Sequence, residues 1–294
     1  MNTAITVLQI VTPVFLVAGL GFAWVRMGFE YQVDFVTRLA MNLAIPALVF
    51  VSLMQSEAEP RSLVAISLAA VVTYFAVLAV AGLVLLALRL PVRTYLSPIF
   101  MGNTGNLGIP LSLFAFGEAG LGYAIAVFAV STVLLLTIGV MLVAERGSGA
   151  RALREPMVWS SLLGALFLWQ GWETPQVVTR TLELLGQLAV PLMLLTLGVA
   201  VARLNPARLG PALGLSAIKL IICVVAAWGV GLAFGLADVA FGVLVLQMST
   251  PVAVTSFLIA QRYDAQPEEV AGLVFASTLL SVMALPLVLS LLVA

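Results

Sequence analysis

Residues 101–110 read M-G-N-T-G-N-L-G-I-P, and their types suit the handling of a small polar solute inside a membrane. Gly102, Gly105 and Gly108 disfavour continuous helix, Asn103, Thr104 and Asn106 offer amide and hydroxyl groups, and Pro110 closes the stretch. Long apolar sequence flanks it on both sides. In hydrocarbon an unpartnered backbone group costs several kcal/mol, so an interrupted helix survives there only where it lines a cavity or packs against protein. The substrate-binding residues expected from this stretch are therefore Asn103, Thr104, Gly105 and Asn106.

The elements that carry such a stretch follow from composition. The chain has 294 residues, is 63% hydrophobic and 9% charged, and contains no histidine; its mean hydropathy is +1.19. A soluble domain carries about 25% charged residues. Apolar runs of about 20 residues recur throughout, the length of a helix that spans a bilayer, and none of the alternating pattern of a barrel is present. The fold class expected is an all-α integral membrane protein embedded in the lipid bilayer. Thirteen basic and thirteen acidic residues cancel, so no basic surface points to nucleic acid. Without imidazole, most hydrolytic and haem chemistry is excluded. The single Cys223 builds no internal disulfide. No cofactor and no metal site are implied. The N-terminus lacks a positive n-region, so the first apolar run reads as a retained span.

Ten spans are expected near 3–26, 33–54, 62–88, 95–116, 119–145, 155–172, 176–203, 209–235, 238–261 and 266–293. Ten Arg fall in the odd-numbered loops, against Arg61 and Arg180 in the even ones. The excess of positive charge marks the cytoplasmic side, which places both termini outside the cytoplasm.

The chain also repeats itself. L-A-I-P at 43–46 recurs as L-A-V-P at 188–191, and V-F-A-V-S-T, ending at Ser131 and Thr132, recurs as V-F-A-S-T, ending at Ser277 and Thr278. Five spans per repeat is an odd number, so the halves enter the membrane from opposite sides. The division expected is a first five-helix repeat at 1–145, a cytoplasmic linker at 146–154 and a second, inverted repeat at 155–294. Span 9, with Q-M-S-T-P-V-A-V-T-S at 247–256, then partners span 4. Inverted repeats with interrupted helices at matching positions are the signature of secondary transporters. Two broken helices that cross direct half-helix N-termini at one point, which suits an anion.

At G-N-T-G-N-L-G-I-P, at E-P (155–156) through L-A-V-P to L-G (197–198), and at V-F-A-S-T-L-L-S with Pro286 after it, the chain resembles the auxin efflux carrier family, which includes plant auxin carriers and bacterial permeases for malate and malonate. The resemblance covers essentially the whole chain. It implies ten helices, broken crossover helices 4 and 9 that cross at prolines, here Pro110 and Pro251, and a scaffold of spans 1, 2, 6 and 7 that pairs two protomers as a homodimer. Spans 3–5 and 8–10 would form the moving transport domain of an elevator, in a bacterial-type inner membrane. Many members carry an asparagine where this chain has Thr255.

Further candidates admit two readings each. Asn42 and Gln187, each four residues before a proline, either patch kinks or touch solute. Lys219, about 16 Å into span 8 at ~1.5 Å per residue, either snorkels, bonds backbone carbonyls, or serves substrate or proton release. Ser131, Thr132, Ser277 and Thr278 either coordinate an ion or bond back within their helices. Thr250 joins Thr255 and Gln247 on the span 9 side. Glu183 is expected to pair with Arg180, and Asp34 with Arg38. The function expected is secondary active or facilitative transport of small organic anions, with Na+ or H+ as candidate coupling ions. The alternative is sodium-coupled transport of an amino acid or other neutral or zwitterionic solute. An enzyme is not expected, for want of histidine and paired acids.

Overall fold

The computed structural model describes residues 3–56, 59–144, 156–204 and 209–292. The expected linker 146–154, with its arginines, and Arg208 lie outside the described residues. Every named element is helical. The α-helices are α1 Thr3–Arg26, α2 Val33–Leu39, α3 Ile45–Met54, α4 Pro60–Ala87, α5 Val92–Phe100, α6 Ile109–Leu134 and α7 Val140–Val143, then α8 Pro156–Gln170, α9 Gln176–Gln187, α10 Ala189–Arg203, α11 Leu209–Ala233, α12 Asp238–Met248, α13 Val254–Arg262 and α14 Pro267–Leu292. Three π-helical turns, Ala40–Ala44, Thr104–Gly108 and Leu135–Gly139, sit between them.

Among the described residues, 7 helical stretches are long and apolar enough to cross a membrane. One, Thr104–Val143, has 40 residues, about 60 Å at ~1.5 Å per residue and twice the hydrocarbon thickness. It is not one straight rod: Gly117 within it has φ 64° and ψ −156°, a left-handed backbone that glycine adopts without steric cost. The expected spans 4 and 5 meet at this kink. The stretches expected as spans 4, 6 and 9 hold helices of 9, 15, 11 and 9 residues at 92–100, 156–170, 238–248 and 254–262. Each is too short to span alone as a straight helix.

The π turns have a local cause. Pro46 and Pro110 each follow an asparagine by four residues, and a proline ring in a helix collides with the carbonyl four residues earlier. A π turn covers the colliding carbonyl in both cases, at 40–44 and 104–108. Asn42 adds a bond from its side-chain amide to the Arg38 carbonyl at 2.9 Å.

Packing follows from small residues. α1 and α10 form the most extensive helix pair, because Gly21 lies against the Leu195 backbone and Gly198 against that of Ala18. α3 packs on α8 and α9, with Gly164 against Phe50 and Leu53 and Gly186 against Leu48. A second set joins α4, α5, α6, α11, α12, α13 and α14. The ends of its helices are tied by Arg93 to the Val143 and Tyr263 carbonyls at 3.0 and 2.9 Å, and by the Tyr95 hydroxyl to Glu269 at 3.1 Å. The Glu183 carboxylate accepts from Gln55 across helices at 3.0 Å, rather than from its helix neighbour Arg180. Arg180 is exposed, where water competes for the guanidinium and an ion pair gains little.

Gly198→Ala is expected to lower unfolding stability by about 1–3 kcal/mol, the usual cost of forcing a methyl into a packed core, because its Cβ would enter the Ala18 backbone. Gly19→Ala, with nothing within 4 Å, should unfold as the native protein does or slightly later. Thermal unfolding in detergent reads the difference.

Candidate functional site

The two interrupted stretches meet. Residues 101–103 and 251–253 run extended and antiparallel, bridged at Gly102 and Val252. The Asn103 amide donates to the Pro251 carbonyl at 2.7 Å and the Ala253 amide to the Met101 carbonyl at 3.2 Å. The Val252 amide points elsewhere, to the Ser277 hydroxyl oxygen at 3.0 Å. Backbone groups that the helix breaks release are thus satisfied where the other chain segment crosses. Glycine permits the approach: a Cβ on Gly102 would lie 2.5 Å from Thr250 Oγ1, and one on Gly108 would run into the Gln247 side chain.

Four half-helices converge here. α5 and α12 arrive with their C-terminal ends. The π turn Thr104–Gly108, continuing into α6, and α13 depart with their N-terminal ends. Leu107 and Gly108 are the first amides to bond back, both to the Asn103 carbonyl, at 3.2 and 3.0 Å. The first amides of a helix have no partner within it and carry its positive end. The crossing therefore presents two positive and two negative helix ends.

The structure brings together most of the residues singled out by sequence. Asn103 and Thr104 are buried, and the Asn103 side-chain nitrogen is buried without a partner. Thr104 Oγ1 and Ser131 Oγ lie 2.8 Å apart, and the Tyr74 hydroxyl is buried with no hydrogen-bond partner. Gln247 is fully buried with both amide atoms unpartnered. Thr250 spends its hydroxyl proton on the Gln247 carbonyl at 2.6 Å. Lys219 is buried and donates to the Thr250 carbonyl at 2.7 Å. Gly105 is buried against the Phe128 ring, and Asn106 is half-buried.

Others fall outside the cluster. Pro251 lies in the crossing, but Pro110 stands seven residues beyond Asn103, in the first turn of α6. That is where a proline costs a helix least, and the crossing itself uses Gly102. Thr255, in the first turn of α13, is exposed. Asn42 is exposed and committed to Arg38. Gln187 is exposed and helps line a cavity of about 540 Å³ between α3, α9 and the start of α6, beside Ser52, Gln55, Glu118 and Glu183. The remaining hydroxyls bond back: Ser277 and Thr278 to the Val274 carbonyl at 3.2 and 2.7 Å, and Ser131 to that of Phe128 at 2.8 Å. Thr132 lies 4.0 Å from the Met157 sulfur. Among the described residues no group of three or more His, Cys, Asp or Glu is placed to hold a metal ion.

Sequence reading passed over Tyr74, Ser216, Ser249 and Ser281. The available signal was polar residues recurring at helical spacing inside apolar runs, Ser277 with Ser281 and Ser216 with Lys219.

The sequence model of the family described as "Membrane transport protein" matches residues 6–155 and 148–289. The chain belongs to this family. This is the auxin efflux carrier family that the motif at 102–110 resembles. The chain is 29% identical over 302 residues to a protein of Methanothermobacter thermautotrophicus named "Uncharacterized transporter", with 98% of this chain and 97% of that protein covered. It is 25% identical over 263 residues to a Rhizobium meliloti protein named "Putative malonate transporter", covering 82% of this chain and 81% of that one. The protein is a multi-pass membrane transporter and not an enzyme.

Gly108→Ala is expected to lower thermal stability and transport together, and Gln247→Ala to relieve part of the loss by clearing the space that the new methyl enters. Contacting pairs couple by about 0.5–3 kcal/mol, and a double-mutant cycle on unfolding measures it. Additive losses would mean that the two side chains do not meet.

Proposed function

We propose that the protein carries small organic anions, carboxylates of the malate and malonate type or auxin-like acids, as a secondary active or facilitative transporter. The observation that carries the reading is the convergence of two half-helix N-termini on residues 103–104 and 253–254, beside the unpartnered Asn103 amide. Free backbone N–H groups and positive helix ends stabilise a carboxylate without a charged side chain. Asn103, Thr104 and Asn106 supply further donors. Neutral Thr250 and Gln247 shape the opposite wall. The malonate named for the Rhizobium meliloti relative is a compound of this class.

In this reading the chain spans the membrane ten times as two inverted five-helix repeats, with 92–116 and 238–262 as its two broken spans. The α1–α10 and α3–α8–α9 packing supports a scaffold distinct from the set built on the crossing. The second set would slide along the first, carrying the site across the membrane as an elevator. The 540 Å³ cavity lies where the two sets meet, so it is the natural approach from one side. The scaffold would pair two protomers. Its membrane would be a bacterial-type inner membrane, with both termini outside the cytoplasm.

Uptake of radiolabelled malonate and malate into proteoliposomes tests the reading. The native protein should accumulate one of them above empty liposomes, and Asn103→Ala with Asn106→Ala should reduce uptake at least tenfold, the effect of about 1.4 kcal/mol in the barrier. Unchanged uptake by that variant would remove these residues from the mechanism. Glu118 and Glu183 line the approach, so replacing both by glutamine should lower the KM for an anion about 2–5-fold at low salt. That gain should fade as salt screens the charges over roughly 10 Å.

A further inference from the structure

Lys219 is a buried ammonium held by the crossing. Its Nζ donates to the Thr250 carbonyl at 2.7 Å and lies 4.0 Å from Cys223 Sγ, and no carboxylate pairs with it among the described residues. A charge this deep survives only when compensated. Compensation comes from the Thr250 carbonyl, two residues beyond the C-terminal end of α12, which is the negative end of that helix's dipole.

The surroundings point the same way. The small cavity beside the ammonium, about 10 Å³, is lined by Ser216, Ser249, Thr250, Ser277 and Ser281. Each serine gives its proton to a backbone carbonyl: Ser216 to Ala212 at 2.7 Å, Ser249 to Val245 at 2.6 Å, Ser277 to Val274 at 3.2 Å and Ser281 to Thr278 at 2.6 Å. With its proton so committed, each hydroxyl has only lone pairs left. Ser277 already accepts the Val252 amide at 3.0 Å. The polar part of the wall is therefore made of acceptors, oxygen atoms from α11, α14 and the segment after α12, with no acid among them, and Leu220, Pro251, Leu280 and Ala284 complete the lining. Such a lining suits a monovalent cation and disfavours an anion.

We propose that this is a cation site whose occupant is tethered: the Lys219 ammonium takes the place that a coupling sodium ion would fill, locking α11 to the crossing. The inference rests on the crossing being the centre of the transport site. It selects against the sodium-coupled alternative, because the position is already occupied by a group that cannot leave. Cys223 is the titratable group that faces the ammonium, from the next turn of the same helix.

Thermal unfolding of the full-length protein without substrate tests it, with sodium chloride, methylammonium chloride or choline chloride at one ionic strength. The native protein should unfold at the same temperature in all three. Lys219→Ala opens the site and should unfold several degrees lower in choline, recovering at least half of that loss in methylammonium or sodium, with saturation. Lys219→Met fills the space with an apolar chain and should show no such recovery. Stabilisation of the native protein by sodium would overturn the proposal, as would a Lys219→Ala variant that responds to no small cation or a Lys219→Met variant that responds equally. If Lys219→Ala does not fold, the native arm still decides: indifference to sodium supports the proposal and sodium dependence defeats it. The readout uses no substrate, so its failure and a failure of carboxylate uptake are separate results.

Discussion

Two backbone hydrogen bonds, Asn103 to Pro251 and Ala253 to Met101, hold this molecule's centre together. Inside a bilayer no water can satisfy an amide or carbonyl that leaves a helix, so a chain that interrupts two helices at depth must pair one break with the other. That requirement brings the two segments to backbone hydrogen-bonding distance, and glycine at 102 and 108 leaves room there for the Thr250 hydroxyl and the Gln247 side chain. It also aligns four helix ends on one point. The field that would favour a carboxylate is thus a by-product of the arrangement that makes the breaks tolerable.

The same constraint accounts for the polar atoms around the crossing. A hydroxyl or amide buried in a membrane protein bonds back to its own helix, bonds across to another segment, or stands unpaired at a cost. Ser131, Ser249, Ser277 and Thr278 bond back. Asn103 and Gln247 retain unpartnered side-chain atoms at the crossing, and Tyr74, Ser97, Ser112 and Ser256 carry unpartnered hydroxyls on the surrounding helices. Such atoms are costly unless something binds them. Lys219 and the acceptor-lined cavity occupy the opposite, carbonyl-rich side. The negative end of α12 is thus served by the Lys219 ammonium, and under the proposed function the positive ends would be served by the solute.

Much of this was legible in sequence, for reasons that differ from residue to residue. The G-N-T-G-N-L-G-I-P stretch announced a broken helix because three glycines and a proline so close together do not sustain a continuous helical turn, and the Q-M-S-T-P stretch announced its partner. Membrane embedding followed from composition. The exact pairing was not legible: the family pattern drew attention to Pro110 and Pro251, whereas the backbone bridge joins Gly102 to Val252. Proline marks where a helix restarts, and glycine marks where backbones touch. Thr255 drew notice as a departure from relatives, yet its side chain is exposed on α13, because one residue of helical rotation separates it from buried Ser256. Lys219 could be placed at depth by counting, but its partner is a carbonyl 31 residues away on another helix, and backbone acceptors leave no mark in sequence. The kink at Gly117 is similar: glycine is frequent in membrane helices, and only the fold distinguishes this one by its φ of 64°.

If the crossing binds a small carboxylate through helix N-termini, no inorganic cation is required for binding. Thermal unfolding of the purified protein across a panel of small carboxylic acids and amino acids, each with sodium and with choline, tests this most directly. Stabilisation by one or more carboxylates, saturable and equal in sodium and choline, is the result expected. Stabilisation by a neutral or zwitterionic solute alone, and only in sodium, would contradict it.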